Sequence, residues 1–288
     1  MQNLNLFIDL TRLNRPTGYL LLFWPCIWGL TIGYDFNQNL NSYFYYSFLF
    51  LAGSILMRSA GCIVNDIVDK KFDQRVERTR GRPLASGKVS NFLAIFYILV
   101  LCLLALIVLL QFNRLTIILA ICSMPFAFTY PLMKRYTYWP QLFLGITFNF
   151  GLILGWTAAQ ETIEIAPILL YAGAIFWTLG YDTIYGFQDI KDDEIIGVKS
   201  TSIKFKKNPI KFLFICYLIK IISLIVVGYL MNFNYLYFIF ICFPILHLLF
   251  FQLKQFEIDN PQKCLAIFKN NNSYASIVFL ALLIGKIF

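Results

Sequence analysis

The chain has 288 residues, of which 59% are hydrophobic and only 14% are charged, and its formal net charge is +9. Because soluble domains carry about a quarter charged residues, this composition excludes an ordinary soluble globular protein, a disordered chain and a nucleic-acid-binding module. The seven cysteines form no CxxC pair and are scattered through apolar stretches, which indicates neither a zinc site nor a disulfide framework.

Long uncharged stretches predict membrane-spanning helices, since a span needs about 20 mostly apolar residues. The sequence predicts an all-α fold, a polytopic membrane helix bundle of about nine transmembrane helices. Their predicted ranges in chain order are 17–33, 43–67, 91–111, 115–133, 138–157, 166–186, 210–230, 234–253 and 272–287. The N-terminus is polar, and Arg12 and Arg15 lead directly into the first helix, so we expect no signal peptide.

The basic residues predict the orientation of the bundle. Most of the 24 lysines and arginines fall in the N-terminal segment and in alternate loops, whereas the opposite side has only Arg114 and Lys286. The positive-inside rule places the basic loops in the cytoplasm. The net charge is therefore a topology signal, and we expect no nucleic-acid partner. We expect one domain over 1–288, in which two helix sets around 43–90 and 166–211 resemble an internal duplication.

Two acidic segments follow predicted helices on the cytoplasmic side. In the first, Asp66, Asp69 and Asp73 have the spacing i, i+3, i+7. In the second, the spacing i, i+3, i+7, i+11 relates Asp182, Tyr185, Asp189 and Asp193. If the helices continue to these points, each set lies on one helix face. Such a stripe of carboxylates repels itself near a membrane unless a cation or a basic partner neutralises it.

The cation that this pattern favours is Mg²⁺, because it prefers oxygen ligands and typically takes one or two carboxylates together with substrate phosphates. Two facing stripes can hold several ions bridged by a diphosphate. Basic residues in three cytoplasmic loops are candidates to bind phosphate oxygens. They are Arg75, Arg78, Arg80, Arg82, Lys134, Arg135, Lys191 and Lys199. The alternative for either loop alone is an ordinary solvated surface, but the helical spacing of both loops favours a site.

The two acidic segments resemble the two aspartate-rich motifs of the UbiA family of intramembrane prenyltransferases. The first reads Asn65-Asp66-x-x-Asp69-x-x-x-Asp73, followed by Arg78-Thr79 and Arg82-Pro83-Leu84. The second reads Asp182-x-x-Tyr185-x-x-x-Asp189-x-x-x-Asp193, followed by Gly197-x-Lys199-Ser200-Thr201. Tyr130-Pro131-x-x-Lys134-Arg135 and Arg15-Pro16-x-Gly18 are also similar to family segments. Within the family, the strings 57–62, 133–137 and 181–185 are most similar to bacterial 4-hydroxybenzoate polyprenyltransferases, with Gly186 standing where an alanine is common.

The resemblance implies Mg²⁺-dependent transfer of a polyprenyl group from polyprenyl diphosphate to the ring carbon ortho to the hydroxyl of 4-hydroxybenzoate, with release of diphosphate, in ubiquinone biosynthesis. It implies catalytic roles for Asp69, Asp73, Tyr185, Asp189 and Asp193. The implied metal-binding residues are Asn65, Asp66, Asp69, Asp73, Asp182, Asp189 and Asp193. The implied diphosphate-binding residues are Arg78, Arg82, Lys134, Arg135 and Lys199, and the acceptor-binding residues are Arg58 and Tyr130. It also implies the bacterial cell inner membrane as the location and membrane lipid as a partner.

Arg58 lies seven positions before Asn65 and therefore on the same helix face, about two turns deeper. A lone arginine within a predicted membrane helix is a functional-site hypothesis by default. We expect it to bind the carboxylate of 4-hydroxybenzoate, with a structural ion pair as the alternative. Lys220 can snorkel or contact a substrate, and His247 is expected to be packed and hydrogen-bonded rather than catalytic. The tryptophans are expected to be interface anchors; they are Trp24, Trp28, Trp139, Trp156 and Trp177.

Other functions are compatible with parts of this pattern. The same chemistry can serve another acceptor, such as a naphthoate, homogentisate or haem, because the aspartate motifs serve the diphosphate. A membrane cation transporter also uses intramembrane carboxylates, but near the bilayer midplane, whereas these acids lie at predicted cytoplasmic helix ends. A catalytically inactive scaffold is disfavoured because every motif aspartate is present.

Overall fold

The structure is a computed structural model that describes residues 2–77 and 79–288, with the side chains of residues 2 and 3 left out. This part of the chain contains helices and no β-strand. The α-helices are α1 (Gln2–Thr11), α2 (Pro16–Gly33), α3 (Leu40–Asp73), α4 (Asn91–Leu109), α5 (Arg114–Thr129), α6 (Met133–Tyr136), α7 (Pro140–Asn149), α8 (Gly151–Gln160), α9 (Ile165–Gly186), α10 (Ile190–Ile196), α11 (Thr201–Lys204), α12 (Pro209–Leu230), α13 (Tyr235–Phe240), α14 (Cys242–His247) and α15 (Pro261–Ile287). A 3₁₀ turn joins α5 to α6, and a π-helical segment, Leu248–Leu253, follows α14. The predicted all-α fold is confirmed.

Seven helical segments in the described residues are long and apolar enough to cross a membrane. They are Leu40–Asp73, Asn91–Leu109, Arg114–Tyr136, Pro140–Gln160, Ile165–Gly186, Pro209–Leu230 and Tyr235–Leu253. The other two predicted spans, 17–33 and 272–287, are also helical and belong to α2 and α15. The count of nine membrane crossings stays a prediction, as do the single domain and its internal duplication.

Capping residues explain where several helices begin. The side chains of Ser90 and Asn113 accept hydrogen bonds from backbone N–H groups in the first turns of α4 and α5. Ser and Asn are favoured at this position because they satisfy donors that have no partner within the helix. Pro16, Pro140 and Pro209 begin α2, α7 and α12, where a missing N–H costs nothing.

Small residues let the central helices approach closely. A Cβ at Gly29 of α2 would lie 1.9 Å from the carbonyl oxygen of Leu152 on α8, and one at Gly155 would lie 2.0 Å from that of Cys26. Such contacts between backbones are typical of packing between membrane helices. Because a side chain at either glycine would collide with the backbone of the other helix, α2 and α8 can approach this closely only with glycine at both positions.

The core between α2, α9, α12 and α15 is aromatic. Trp28 and Trp177 are fully buried, with ring centroids 5.3 Å apart, and Tyr274 lies 5.2 Å from Trp177. Trp156 is also buried. The expectation that these tryptophans are interface anchors is therefore wrong for Trp28, Trp156 and Trp177, because helix packing turns them inward.

Two helix boundaries differ from the prediction in ways that shape the site. α3 runs on to Asp73, several residues past the predicted end at 67. α9 ends at Gly186, so Asp189 lies in the connection to α10 and Asp193 lies on α10 itself. A Cβ at Gly186 would lie 2.3 Å from Ser202 Oγ, which shows how tightly α11 packs where α9 stops. The second acidic motif therefore does not lie along one continuous helix face.

Candidate active site

The last turns of α3 carry the first acidic motif as a buried helix face. Asp66, Asp69 and Asp73 are only 2%, 2% and 7% exposed. Their spacing places them one above another along α3, as the sequence predicts. Three buried carboxylates on one face need compensating charge, and the structure supplies it from three other parts of the chain.

Arginines neutralise the two outer members of this face. Arg12 Nη2 donates to Asp66 Oδ1 over 2.5 Å, and Arg82 Nη1 donates to Asp66 Oδ1 over 3.2 Å and to Asp73 Oδ2 over 2.8 Å. Arg82 therefore bridges two turns of α3, as expected for a basic residue of the site. Arg12 is a site residue that the sequence-based analysis did not assign, although its place just before the first membrane helix is a usable signal.

Packing of α1 explains how Arg12 reaches the site. Leu10 is fully buried in a cluster that includes Ala60 and Ile63 of α3, and the Phe7 ring lies 5.0 Å from Tyr97 of α4. α1 is thus held against α3 near its C-terminal end. Arg12 follows it with φ of 56°, a left-handed conformation that is uncommon outside glycine and that ends the helix beside Asp66.

A lysine from α6 neutralises the middle carboxylate. Lys134 Nζ donates to Asp69 Oδ2. The adjacent Arg135 donates from Nη2 to the carbonyl oxygen of Val68 over 2.7 Å. The Phe72 ring lies beneath both cations, with its centroid 5.9 Å from Lys134 Nζ and 5.3 Å from Arg135 Cζ. Both predicted basic residues of this loop therefore meet the acidic face of α3.

The loop after the second acidic motif is attached to the same α6 segment. Lys199 donates from its backbone N to the carbonyl oxygen of Lys134 over 2.8 Å, and from Nζ to that of Tyr136 over 3.2 Å. Thr201 donates its backbone N–H to Gln141 Oε1 of α7 over 3.0 Å. These contacts bring Lys199 next to Lys134, so the predicted basic residues from two separate loops come together.

A second group of residues lies around Arg58 of α3. The guanidinium Cζ of Arg58 is 5.5 Å from the centroid of the Phe148 ring, and the rings of Tyr130 and Phe148 lie 6.4 Å apart. The charge of Arg58 acts on both Tyr130 and Asp182. The structure therefore gathers Arg58, Tyr130 and Asp182, which sequence analysis had placed in three different segments.

The remaining predicted residues have simpler environments. Tyr185 lies against Phe268 of α15, with ring centroids 4.4 Å apart. Asn65 is partly buried beside Asp66 on α3. Arg78 lies outside the described residues.

The donor chemistry of the first motif fits a divalent cation. In the described residues, no group of three or more His, Cys, Asp or Glu side chains is arranged to hold a metal ion, and arginine and lysine pair with the carboxylates of α3. However, Asp69 Oδ1 is buried and has no hydrogen-bond partner in this part of the chain. A buried carboxylate oxygen needs a donor or a cation, and carboxylate oxygens are the ligands that Mg²⁺ prefers.

The structure also locates the two residues whose roles the sequence left open. Lys220 is fully buried, with Nζ 4.5 Å from the centroid of the Trp28 ring, so it does not snorkel. His247 is buried, and its ring lies 5.3 Å from Phe251 and 5.7 Å from Tyr274. The packing expected for His247 is confirmed, but within the described residues neither ring nitrogen has the expected hydrogen-bond partner.

Comparison with known sequences identifies what this chain resembles. A family model described as the UbiA prenyltransferase family matches residues 22–283. The 4-hydroxybenzoate polyprenyltransferase, mitochondrial, of Drosophila melanogaster is 40% identical over 284 residues, which cover 98% of this chain and 71% of that protein. The 4-hydroxybenzoate octaprenyltransferase of Psychromonas ingrahamii is 37% identical over 281 residues, which cover 97% of this chain and 96% of that protein.

Comparison with solved structures shows the same fold. The apo structure of a UbiA homolog from Aeropyrum pernix K1 superposes with a TM-score of 0.76 at 22% identity, covering 93% of this chain and 97% of that one. A UbiA homolog from Archaeoglobus fulgidus bound to GPP and Mg²⁺ superposes with a TM-score of 0.74 at 18% identity, covering 96% and 99%.

Proposed function

The chain belongs to the UbiA prenyltransferase family, and we propose that it transfers a polyprenyl group from polyprenyl diphosphate to the ring carbon ortho to the hydroxyl of 4-hydroxybenzoate, in ubiquinone biosynthesis. It is an integral membrane prenyltransferase. One observation carries the proposal: a cation-neutralised acidic face on α3 adjoins Arg58, which forms no ion pair with a carboxylate among the described residues. The acidic face with its cations suits a metal ion and a diphosphate, and Arg58 suits an anionic acceptor.

The diphosphate would be bound by exchange of ion pairs. Arg12, Arg82 and Lys134 now neutralise the carboxylates of α3. When bound, Mg²⁺ supplies Lewis-acid stabilisation of the diphosphate leaving group. The residues proposed to hold it are Asn65, Asp66, Asp69, Asp73, Asp182, Asp189 and Asp193. Arg82, Lys134, Arg135 and Lys199 would then turn to phosphate oxygens, for which guanidinium and ammonium groups are suited; Arg78 is proposed with them from its motif.

The acceptor would lie deeper along the same helix. Arg58 is about two turns from the acidic face and would bind the carboxylate of 4-hydroxybenzoate, with Tyr130 beside it. The carbon–oxygen bond of the prenyl diphosphate breaks, diphosphate leaves with the bonding electrons, and the ortho ring carbon attacks the allylic carbon. Loss of the ring proton restores aromaticity. The aromatic walls exclude water, which would otherwise quench the allylic cation, and ring faces attract cations.

The location is proposed from the resemblance and from the distribution of charge. The relatives include mitochondrial proteins and a bacterial one, and we propose the bacterial cell inner membrane. The excess of basic residues in one set of loops supports a cytoplasmic N-terminus and cytoplasmic motif loops.

A direct assay tests the proposal. Purified protein in liposomes is incubated with Mg²⁺, a polyprenyl diphosphate and a panel of aromatic acceptors, and the 3-prenylated product is detected by mass spectrometry. We expect product from 4-hydroxybenzoate and its loss in Asp69→Asn, with activity retained in Glu257→Gln, which alters an exposed acid paired with Lys263. Product formed only from a naphthoate or homogentisate would identify that compound, and not 4-hydroxybenzoate, as the acceptor. If the folded protein forms no product with any acceptor but conducts ions, the proposed enzymatic function is wrong and the chain is a cation transporter.

A further inference from the structure

Arg58 is held differently from the other basic residues of the site. Arg12, Arg82 and Lys134 each hydrogen-bond an aspartate. In the described residues, by contrast, Arg58 Nε is buried without a hydrogen-bond partner. Arg58 as a whole is half-buried, but a buried polar atom without a partner is costly, so the position of Nε needs another explanation.

One side of the guanidinium lies against the backbone of a glycine, Gly18 of α2. A Cβ at Gly18 of α2 would lie 2.7 Å from Arg58 Nε and 3.3 Å from Nη2. Gly18 is in ordinary helical conformation, so alanine would fit its backbone, and the only obstacle to a side chain is Arg58. The missing side chain therefore makes room for the guanidinium.

The other neighbour is an aromatic ring. Arg58 Cζ lies 5.5 Å from the centroid of Phe148 on α7, within the range of a cation–π interaction. Such a contact attracts the cation without neutralising it. Asp182 is close enough for the charge of Arg58 to act on its carboxylate. An ion pair between the two would compete with an anionic ligand for the guanidinium.

We propose that Gly18 and Phe148 are positioning residues that form a slot for Arg58, keep its guanidinium away from Asp182 and so set the preference for an aromatic acceptor that carries a carboxylate. The inference rests on the proposed role of Arg58 in binding that carboxylate. Loss of the Phe148 ring frees the guanidinium to pair with Asp182, and a methyl group at position 18 displaces it. Either change weakens binding of the acceptor more than binding of the prenyl diphosphate, because Asp182 is only one of seven proposed Mg²⁺ ligands.

The test compares 4-hydroxybenzoate with 4-hydroxybenzamide, a neutral acceptor of nearly the same shape. For each variant we measure kcat and KM for both acceptors and KM for the prenyl diphosphate. Phe148→Leu and Gly18→Ala should lower the ratio of kcat/KM for acid over amide by about 3- to 30-fold, the range of a desolvated cation–π contact. The change should appear in KM for the acid. Phe148→Tyr keeps an aromatic ring and should therefore keep the wild-type ratio of kcat/KM for acid over amide.

Phe150→Leu is the matched control, because the Phe150 ring contacts Tyr171 and not Arg58; it should keep the wild-type ratio. An unchanged ratio in Phe148→Leu overturns the inference, as does an equal fall in Phe150→Leu. Arg58→Ala separates this failure from failure of the proposed function. If Arg58→Ala also keeps the wild-type ratio, the carboxylate role of Arg58 is wrong; if it lowers the ratio and both slot variants do not, only the slot is wrong.

Discussion

Lys134 of α6 donates a hydrogen bond to Asp69 of α3, although 65 residues separate them in the sequence. The second oxygen of Asp69 is buried without a hydrogen-bond partner in the described residues. A carboxylate neutralised through one oxygen only can exchange its partner when a divalent cation and a diphosphate arrive together. This pair therefore connects the stability of the ligand-free protein to its proposed chemistry.

Replacing Lys134 by Met should impair both stability and activity. Without Mg²⁺ it leaves Asp69 uncompensated, and we expect a loss of about 1 to 3 kcal/mol, below the about 3 to 5 kcal/mol of a fully buried pair, because the Lys134 side chain is 28% exposed. We expect kcat/KM for the prenyl diphosphate to fall about 10- to 100-fold, the value of one charged hydrogen bond. Thermal unfolding and steady-state kinetics measure these effects. Lys206→Met breaks an exposed pair with Glu194 and should cost about 0 to 1 kcal/mol; an equal loss in both variants would contradict the prediction.

Mg²⁺ alone should stabilise the wild-type protein against heat. A ligand at 100 times its Kd adds about 2.7 kcal/mol, which corresponds to an increase in Tm on the order of 5 °C for a chain of this size. Asp69→Asn should abolish the increase, and Glu257→Gln should keep it. A full Mg²⁺ response in Asp69→Asn would show that the ion binds elsewhere.

Arg12→Gln should weaken binding of the prenyl diphosphate. Arg12 neutralises Asp66 from outside the predicted motifs, so its loss removes one cation from the site and leaves Arg82 to pair with Asp66. We expect kcat/KM to fall about tenfold or more, consistent with the loss of one charged hydrogen bond. Arg114→Gln, which alters a basic residue at the start of α5, serves as the control in the same kinetic assay. Equal values of kcat/KM in the two variants would show that Arg12 does not contribute to binding of the prenyl diphosphate.

Lys220→Met should leave activity within about twofold of wild type and raise the free energy of unfolding. An unpaired buried polar group costs about 2 to 7 kcal/mol, and the contact of Nζ with the Trp28 ring returns about 2 kcal/mol, so the expected gain lies between about 0 and 5 kcal/mol. Methionine is unbranched and can fill the space of the lysine stem. Thermal unfolding and product formation measure the outcome. Loss of activity with unchanged Tm would instead mean that Lys220 contacts a substrate.

Gly155→Ala should destabilise the bundle by at least about 1 to 3 kcal/mol, the usual cost of overpacking. Its methyl group would meet the carbonyl oxygen of Cys26 at 2.0 Å, and backbone cannot move aside as a side chain can. Gly61→Ala is the matched control, because a Cβ at Gly61 of α3 meets nothing within 4 Å. It should raise stability by about 0.5 to 1 kcal/mol, since alanine favours helix over glycine. The sign of the difference in unfolding free energy decides the prediction.

The helices and the first acidic face follow from local features of the sequence. Apolar stretches of sufficient length predicted all the membrane helices that the structure contains in its described part, because an apolar segment of about 20 residues spans a bilayer as a helix that pairs its own backbone groups. The spacing of Asp66, Asp69 and Asp73 predicted one helix face, and α3 continues to Asp73. The second motif failed this test, since α9 ends at Gly186. Glycine at that position was the local signal, because it favours helix less than the alanine that is common there.

The charge partners and the direction of buried side chains were decided by the tertiary structure. Arg12 reaches Asp66 across 54 residues and Lys134 reaches Asp69 across 65, and no local pattern relates such positions. Lys220 turns inward, with Nζ 4.5 Å from the centroid of the Trp28 ring, although the two residues lie on helices far apart in the sequence. The sequence by itself determined the class of protein and its membrane helices, and it indicated candidate residues for a diphosphate site. Only the packing of helices distant along the chain determined which cation neutralises which carboxylate, and that Arg58 lies against Gly18 and Phe148.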